Sequence, residues 1–199
     1  GVEAATMLEI AEAADVGAGT VYNYFKSKDG IYLACMRRAR SQLEEEMAKA
    51  FSGVKEPRAR VMAGTEAYFR FVENRGGAWE LLYGGGVAVA GAAAAETQAL
   101  RFHTIRLIAG LLRDILGAGP TELDIAAYAN LISGGGEQLA RWWRRTQPSI
   151  PRSEIVERQV SMFWKGLEQL QTPRTNSLKT PSTSKALTQT VAQLLSDEA

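Results

Sequence analysis

The side chains that most often carry catalysis are scarce in this chain of 199 residues. It has one histidine, His103, and one cysteine, Cys35, which excludes a histidine-based metal cluster, a CxxC metal site and an internal disulfide. A Ser-His-Asp arrangement would have to use His103, which lies in an apolar helical pattern where packed or pocket-lining histidines are more common. Gly86 and Gly91 have phosphate-loop spacing, but two alanines follow where Lys and Ser or Thr are required. The sequence therefore predicts neither an enzyme nor a need for a cofactor.

Hydrogen-bonding side chains of another kind are concentrated in residues 6–28, TMLEIAEAADVGAGTVYNYFKSK. Thr6 and Glu9 have the spacing of a capping box, which predicts a helix that begins directly after Thr6. Asp15 tolerates the left-handed conformation that ends a helix, and Gly17 suits the N-cap of the next one. The pattern predicts two short helices that meet at a tight corner, as in a helix-turn-helix.

The second of these helices is predicted over residues 19–25. Val21 and Phe25 are four residues apart and are expected to pack inward, with Val16 filling the angle between the two helices. The outward surface then carries hydroxyl and amide groups that can hydrogen-bond to base edges, on Thr20, Tyr22, Asn23 and Tyr24. The alternative is that the aromatic residues are simply the core of a small helical unit, as we expect for Phe25.

A third helix is predicted to begin after Ser27, whose hydroxyl can cap it. Lys28 then lies in the first turn, where free backbone N–H groups favour an anion such as a DNA phosphate. The small residues Ala18 and Gly19 allow the backbone to approach a partner closely. Residues 6–28 therefore combine candidate groups for base contacts with candidate groups for phosphate contacts.

The segment TMLEIAEAADVGAGTVYNYFKSKDGIYLA closely resembles the DNA-binding segment of the TetR family of transcriptional regulators. The resemblance rests on the Thr before the first helix, the I-A-x-x-A run, the G-T-[VL]-Y-x-Y-F block and the S-K-[DE] that opens a long helix. It covers only the N-terminal part of the chain. Beyond it, the sequence is similar to the family only in being a helical domain of suitable length.

The resemblance implies binding to a double-stranded DNA operator. It makes five residues groove-facing, namely Ala18, Gly19, Thr20, Tyr22 and Asn23, and three phosphate-contacting, namely Thr6, Tyr24 and Lys28. It also implies a further helix before Gly1. In relatives Arg or Gln often stands where this chain has Ala18, and Ser where it has Gly17, so the operator cannot be taken from a relative.

Composition is compatible with this interpretation but does not demand it. The apolar fraction of 46% is enough for a sizeable core, and the net charge of +1 points neither towards nor away from nucleic acid. In residues 1–40 five basic residues balance five acidic ones, which is a mild argument against DNA binding. The lone cysteine, the lack of a signal peptide and the lack of an apolar run of about eighteen residues predict a cytoplasmic protein outside the membrane.

The remaining pattern predicts an all-α fold in three parts: residues 1–51 as the DNA-binding head with its connecting helix, 52–171 as a helical ligand-binding and dimerisation domain, and 172–199 as a tail. The connecting helix is expected from Lys28 to about Phe51, with Cys35 buried. Further helices are expected over 58–72, 96–116, about 122–145 and 153–170, with a turn over 74–77 and a short aromatic piece over 78–83. The small residues of 84–95 predict a flexible loop, a close-packed helix start, or both. In the tail, 172–185 is predicted to be a linker and 186–195 a short helix.

Two features of the second domain suggest what it does. The last helix has a wide apolar surface, and the TetR resemblance implies a homodimer formed by the last two helices of each subunit. Gly134 to Gly136 would allow backbones to approach closely there or at a ligand, the alternative being a local break in the helix. A cavity for an apolar or aromatic molecule, with an anionic group facing Arg106 as an option, is predicted among Tyr68, Trp79, Tyr83, Phe102, His103, Arg106 and Trp142.

The function predicted from these features is a ligand-responsive transcriptional regulator, a repressor that releases a palindromic operator when a small molecule binds the second domain. The alternative is a helical small-molecule-binding or interaction protein that does not use the head for DNA.

Overall fold

The protein is described by a computed structural model over residues 6–83 and 92–170, and every regular element within these ranges is an α-helix. The predictions for residues 1–5, 84–91 and 171–199 lie outside the described residues. The helices are α1 Met7–Ala13, α2 Ala18–Phe25, α3 Lys28–Phe51, α4 Pro57–Asn74, α5 Gly76–Tyr83, α6 Ala92–Leu116, α7 Glu122–Thr146 and α8 Arg152–Leu170. The predicted all-α fold is confirmed.

The N-terminal caps predicted for α1 and α3 are present in the structure. The N–H of Glu9 donates to Thr6 Oγ1 at 3.2 Å and the N–H of Thr6 donates to Glu9 Oε2 at 2.6 Å, so the capping box of α1 is present. Ser27 Oγ accepts from the N–H of Gly30 at 3.1 Å and caps α3. These bonds satisfy N–H groups that have no partner within their own helix.

The long helix α3 joins a small head, formed with α1 and α2, to the body formed by α4 to α8. A buried stripe of α3 packs against α4, α5 and α6. It includes Tyr32, Met36, Leu43 and Met47. Cys35 is exposed, so its predicted burial is wrong. The reason is rotational register: the residue after it, Met36, occupies the inward position, and neighbouring residues point about 100° apart on a helix.

The helix limits predicted beside two glycine-containing segments differ in part from those in the structure. The predicted turn over 74–77 is present but shorter, because only Arg75 leaves the helical conformation and α5 begins at Gly76. Gly76 lies under Arg144, whose Nη1 donates to the Gly76 carbonyl at 2.9 Å, and a Cβ at Gly76 would lie 2.5 Å from that guanidinium. Helix α6 begins at Ala92, about one turn before Glu96, which agrees with the alternative of a helix start within 84–95. The extra turn consists of alanines, the strongest helix formers.

Gly134 to Gly136 lie inside one continuous helix, α7, so the alternative of a local break is wrong. A Cβ at Gly135 would meet Phe163 of α8 at 2.9 Å, and one at Gly136 would meet the side chain of Gln159 at 3.1 Å. Close approach between α7 and α8 is therefore the role of the second and third glycines. A Cβ at Gly134 would have no neighbour within 4 Å.

The apolar surface of α8 is used mainly inside its own chain. Ile155, Val156, Val160, Leu167 and Leu170 are all buried, and α8 packs chiefly on α4. The width of this surface therefore reflects burial within the body and is not evidence for a partner subunit.

Candidate functional site: the head surface and the body cavity

The corner between α1 and α2 has the predicted geometry. Asp15 adopts a positive φ of 54°, and the N–H of Val16 donates to the Ala11 carbonyl at 3.0 Å. Gly17 is the N-cap of α2, with its carbonyl accepting from the N–H of Thr20 at 2.9 Å. Val16 does not fill the angle between the helices, because it is 45% exposed. The small core of the head is formed instead by Met7, Ala11 and Val21.

Helix α2 has one buried residue, and its polar side chains face outward. Val21 packs on the core of the head, while Gly19, Thr20, Tyr22, Asn23 and Tyr24 are exposed. Ala18 is half-buried and packs against the same core, so it turns partly away from the outward surface. Phe25 is 37% exposed, and its predicted burial is wrong. It is the last residue of α2, and the chain turns away at Lys26, where φ is 62°, before α3 can cover the ring.

Of the three residues predicted to contact phosphate, Thr6 and Lys28 lie at the starts of α1 and α3, and Tyr24 is exposed near the end of α2. The Thr6 hydroxyl is used within the cap, where it donates to Glu9 Oε2 at 2.9 Å. The hydrogen bonds from the Thr6 backbone and side chain lower the pKa of Glu9, and the charge of Lys28 lowers it further. Lys28 itself is half-buried in the first turn of α3, close to this cap.

A cavity of about 60 Å³ lies within the body, and residues from α3 and from each of the five body helices line it. Its wall is mostly apolar, with hydroxyl and amide groups at a few points. The lining comprises Met47, Val61, Gly64, Thr65, Tyr68, Tyr83, Thr104, Ile108, Leu111, Leu112, Ile132, Ser133, Gly136 and Gln159.

Two tyrosines link this cavity to the aromatic core. Trp79 Nε1 donates to the Tyr68 hydroxyl at 2.9 Å, and the hydroxyls of Tyr83 and Thr104 are 2.6 Å apart. Burial raises the pKa of Tyr83 to about 12 and that of Tyr68 well above its usual value. Both hydroxyl groups are therefore neutral at physiological pH.

Comparison with known proteins identifies this architecture. The model described as "Bacterial regulatory proteins, tetR family" matches residues 1–35, and the model of a tetracyclin repressor-like C-terminal domain matches residues 57–166. The chain belongs to the TetR family. The predicted family is thereby confirmed, as are DNA binding and transcription regulation as the general activity of its members.

Individual relatives agree with this assignment. The chain is 27% identical over 171 residues to the HTH-type transcriptional activator FasR of Mycolicibacterium smegmatis, covering 84% of this chain and 75% of FasR. It is 27% identical to a TetR-like transcriptional regulator of Rhodococcus sp. RHA1, whose crystal structure matches with a TM-score of 0.67 over 84% of this chain and 87% of that one. The crystal structure of AibR in complex with isovaleryl coenzyme A and operator DNA shares the fold at 16% identity and a TM-score of 0.63, over 81% and 88% of the two chains.

Within this TetR fold, the residues predicted to bind a ligand do not form one site. Tyr68 and Tyr83 line the cavity, and Trp79 is buried behind Tyr68. Phe102 lines a separate, more open groove between α5, α6 and α7, to which Tyr83 also contributes. Trp142 is 44% exposed, because the neighbouring Trp143 takes the core position on α7.

His103 and Arg106 lie outside the cavity wall, on the side of α6 that faces α3. His103 Nε2 is 2.7 Å from Glu44 Oε1, and its Nδ1 is 3.3 Å from Arg106 Nη2. Partial burial lowers the pKa of His103. The Glu44 carboxylate opposes this shift, and Arg40 and Arg106 add to it. These residues therefore connect two helices electrostatically and do not contact a molecule in the cavity.

The sequence interpretation missed the polar groups of the cavity, above all Gln159, Thr104, Thr65 and Ser133. A signal for two of them was available. Gln159 lies between the buried residues Val156 and Val160, and Thr104 lies on the apolar side of α6. A polar residue at an inward helical position indicates either a buried hydrogen bond or a binding site. In the head, the sequence interpretation also gave no role to Lys26, an exposed cation at the turn between α2 and α3.

Among the residues that the structure describes there is no group of three or more potential metal ligands. Nor is any helix in the described ranges long and apolar enough to cross a membrane.

Proposed function

We propose that this TetR-family chain is a ligand-responsive regulator that reads operator DNA with the exposed face of α2. The observation that carries the proposal is the division of α2 into a buried Val21 and an outward set of polar side chains, held at a corner whose geometry matches a helix-turn-helix. Thr20 and Asn23 are the proposed base-contacting residues, with Tyr22 beside them. Lys28 is the proposed phosphate contact, supported by the N-terminal turn of α3.

We propose dimerisation through the outer face of α7 together with α8. Leu123 is 79% exposed and Leu131 is 59% exposed, and Gly134 and Trp142 continue the same face of α7. Met162 adds an exposed apolar side chain on α8. Because the buried surface of α8 is occupied by α4, α7 supplies most of this proposed interface. A two-fold dimer would present two heads to half-sites about 34–36 Å apart.

A ligand in the cavity would act on the head through α3. Met47 of α3 lines the cavity, and Ile31 at the other end of α3 packs on the core of the head. Helix α3 is also tied to α6 by Arg37, whose Nε and Nη2 donate to the Glu96 carboxylate at 2.7 and 2.8 Å. A ligand that shifts α6 relative to α3 would therefore change the spacing of two heads and release the operator.

The expected sign of regulation is repression relieved by the ligand. FasR carries the name of an activator, so activation is the outcome that would replace this part of the proposal. AibR was crystallised with both isovaleryl coenzyme A and operator DNA, which supports a small-molecule effector for the present chain.

The proposal is tested by selecting duplexes that bind the full-length protein from a random library, together with the DNA upstream of its own gene. We expect two inverted half-sites about 10 base pairs apart. Asn23→Ala should relax the preference at particular base pairs. Lys28→Ala should weaken binding on all sequences and reduce the slope of log K against log salt by roughly one unit.

Lys49→Ala is the matched control, because Lys49 lies on the same helix as Lys28, and the 1.5 Å rise per residue places it about 30 Å away. It should leave the salt slope unchanged.

Leu131→Glu should give a monomer in sedimentation and binding to single half-sites. Absence of any selected sequence would overturn the proposal in favour of a helical binding protein that does not use its head for DNA.

A further inference from the structure

We propose that the body cavity binds a neutral ligand that is apolar except for one hydrogen-bond donor, a hydroxyl or amide N–H, which donates to Gln159 Oε1. This inference rests on the proposed ligand-responsive function and adds the chemical class of the ligand.

The charge of the cavity wall favours a neutral ligand. Among the described residues, no Asp, Glu, Lys, Arg or His lines the cavity, and the polar groups of this lining are hydroxyls and one amide. The two tyrosine hydroxyls stay neutral because burial raises the pKa of each. An ionised ligand would lose its hydration without gaining an opposite charge, which is strongly unfavourable in an apolar site. Arg106, which the sequence suggested as the partner of an anionic group, does not reach this wall.

A buried amide oxygen beside the cavity lacks a hydrogen bond in the described structure. Gln159 is only 7% exposed, and its Oε1 has no hydrogen-bonding partner in the described structure although it borders the cavity. Buried polar atoms are normally paired, and leaving one unpaired costs about 1–3 kcal/mol. An apolar side chain would suit this buried position of α8 better for stability alone. The amide is therefore best explained by a donor group that enters the cavity.

A glycine on α7 leaves the Gln159 amide accessible from the cavity. Gly136 of α7 faces Gln159, and a Cβ there would lie 3.1 Å from Nε2 and 3.5 Å from Oε1. It would also lie 3.7 Å from a ring carbon of Tyr68, which is on the same wall. The missing side chain at Gly136 thus keeps open the part of the cavity next to the amide. The volume of about 60 Å³ holds roughly four to six water-sized spheres, which suits a compact ligand.

A pair of isomers separates the donor from size and apolarity. The probes are n-hexanol and methyl pentyl ether, which have the same formula but differ in the O–H group, and hexanoate as the charged counterpart. Binding to the full-length protein without DNA is measured by calorimetry and by tryptophan fluorescence, because Trp79 donates to Tyr68 on the cavity wall. We expect n-hexanol to bind roughly fivefold more tightly than the ether, the value of one net hydrogen bond, and hexanoate to bind more weakly than both.

Two variants assign the preference to Gln159. Gln159→Met keeps the length of the side chain and should abolish the difference between the isomers. Gln169→Met makes the same change at an exposed position of the same helix and should preserve it. If Gln159→Met did not fold, Gly136→Ala would serve as the second variant and should weaken n-hexanol binding.

Three results would overturn the inference: equal binding of the two isomers, tighter binding of hexanoate, or no binding of any probe. Operator binding by the wild-type protein, measured separately, distinguishes this failure from failure of the proposed function. A protein that selects an operator but shows no preference for the alcohol is still a regulator, with a different ligand class.

Discussion

The head and the body use their polar and apolar residues in opposite ways. In the head, the described core consists of Met7, Ala11 and Val21, and α2 directs its polar side chains to the outside. In the body, an apolar core extends from α3 to α8, and the polar side chains of greatest interest are inside, around the cavity. A DNA-reading surface needs only a short helix held at the correct angle, whereas a ligand site needs walls from many elements.

The head and the body also differ in the interactions that stabilise them. The head relies on helix caps, which contribute about 1 kcal/mol each, and on a few apolar contacts. Two residues with positive φ, Asp15 and Lys26, turn the chain between its helices. The body relies on the removal of large side chains from water, at about 1.5–3 kcal/mol for each. Helix α3 belongs to both, because Ile31 packs on the head and the residues from Tyr32 onward pack in the body.

Truncation of one core residue in each part should separate their stabilities. Phe69 is fully buried, and the centroid of its ring lies 5.3 Å from that of Tyr68 and 5.9 Å from that of Trp143. We expect Phe69→Ala to lower the free energy of unfolding of the body by about 3–5 kcal/mol, and Val21→Ala to lower that of the head by roughly 1–2 kcal/mol. Urea titration followed by body tryptophan fluorescence and by amide exchange in α2 measures both. The same loss reported by both probes for each variant would show that head and body unfold as one unit.

A backbone contact in the head gives a second test. A Cβ at Gly30 would lie 2.1 Å from the Phe25 carbonyl oxygen, so the turn between α2 and α3 must open when Gly30 is replaced. We expect Gly30→Ala to cost about 1–3 kcal/mol locally and to weaken operator binding by more than about tenfold, while binding of n-hexanol in the body is retained.

The control for this test is Gly110→Ala in α6, where a Cβ would have no neighbour within 4 Å. It should be neutral or stabilise the helix by up to about 1 kcal/mol. Loss of n-hexanol binding in Gly30→Ala would show that the ligand site depends on the intact head, and that the two parts are not stabilised separately.

The smallest effect is expected at the electrostatic tie between α6 and α3. Because the pKa of His103 is lowered in the folded protein, the unfolded chain binds the proton more readily. This contribution is fully present above the ordinary histidine pKa of about 6.5 and is lost as the pH falls through that value towards the lowered one. We expect His103→Gln to lose less stability than the wild type on acidification, by under about 1 kcal/mol since the ring is partly exposed. Thermal melts between neutral and mildly acidic pH measure the difference, and a wild type that gained stability on acidification would show that Glu44 dominates instead.

The sequence predicted the head more fully than the ligand site. The Thr6 and Ser27 caps, the left-handed Asp15 and the outward Thr20 and Asn23 all follow from groups within a few residues of one another. Two of the wrong predictions concern positions where two neighbours compete for one inward place. Met36 took the place predicted for Cys35, and Trp143 is buried where Trp142 was expected to contact a ligand.

The helix caps, the corner of the head and the motif of the family depend on groups a few residues apart, and these can be read from the chain alone. The position of the cavity depends on side chains from six helices that are far apart in sequence. Gln159 shows the difference: the sequence places a glutamine in an apolar stripe, but only packing against α7, with Gly136 opposite, turns its unpaired oxygen towards a cavity. A local hydrogen bond needs one short segment, whereas an enclosed space exists only after all of its walls have assembled.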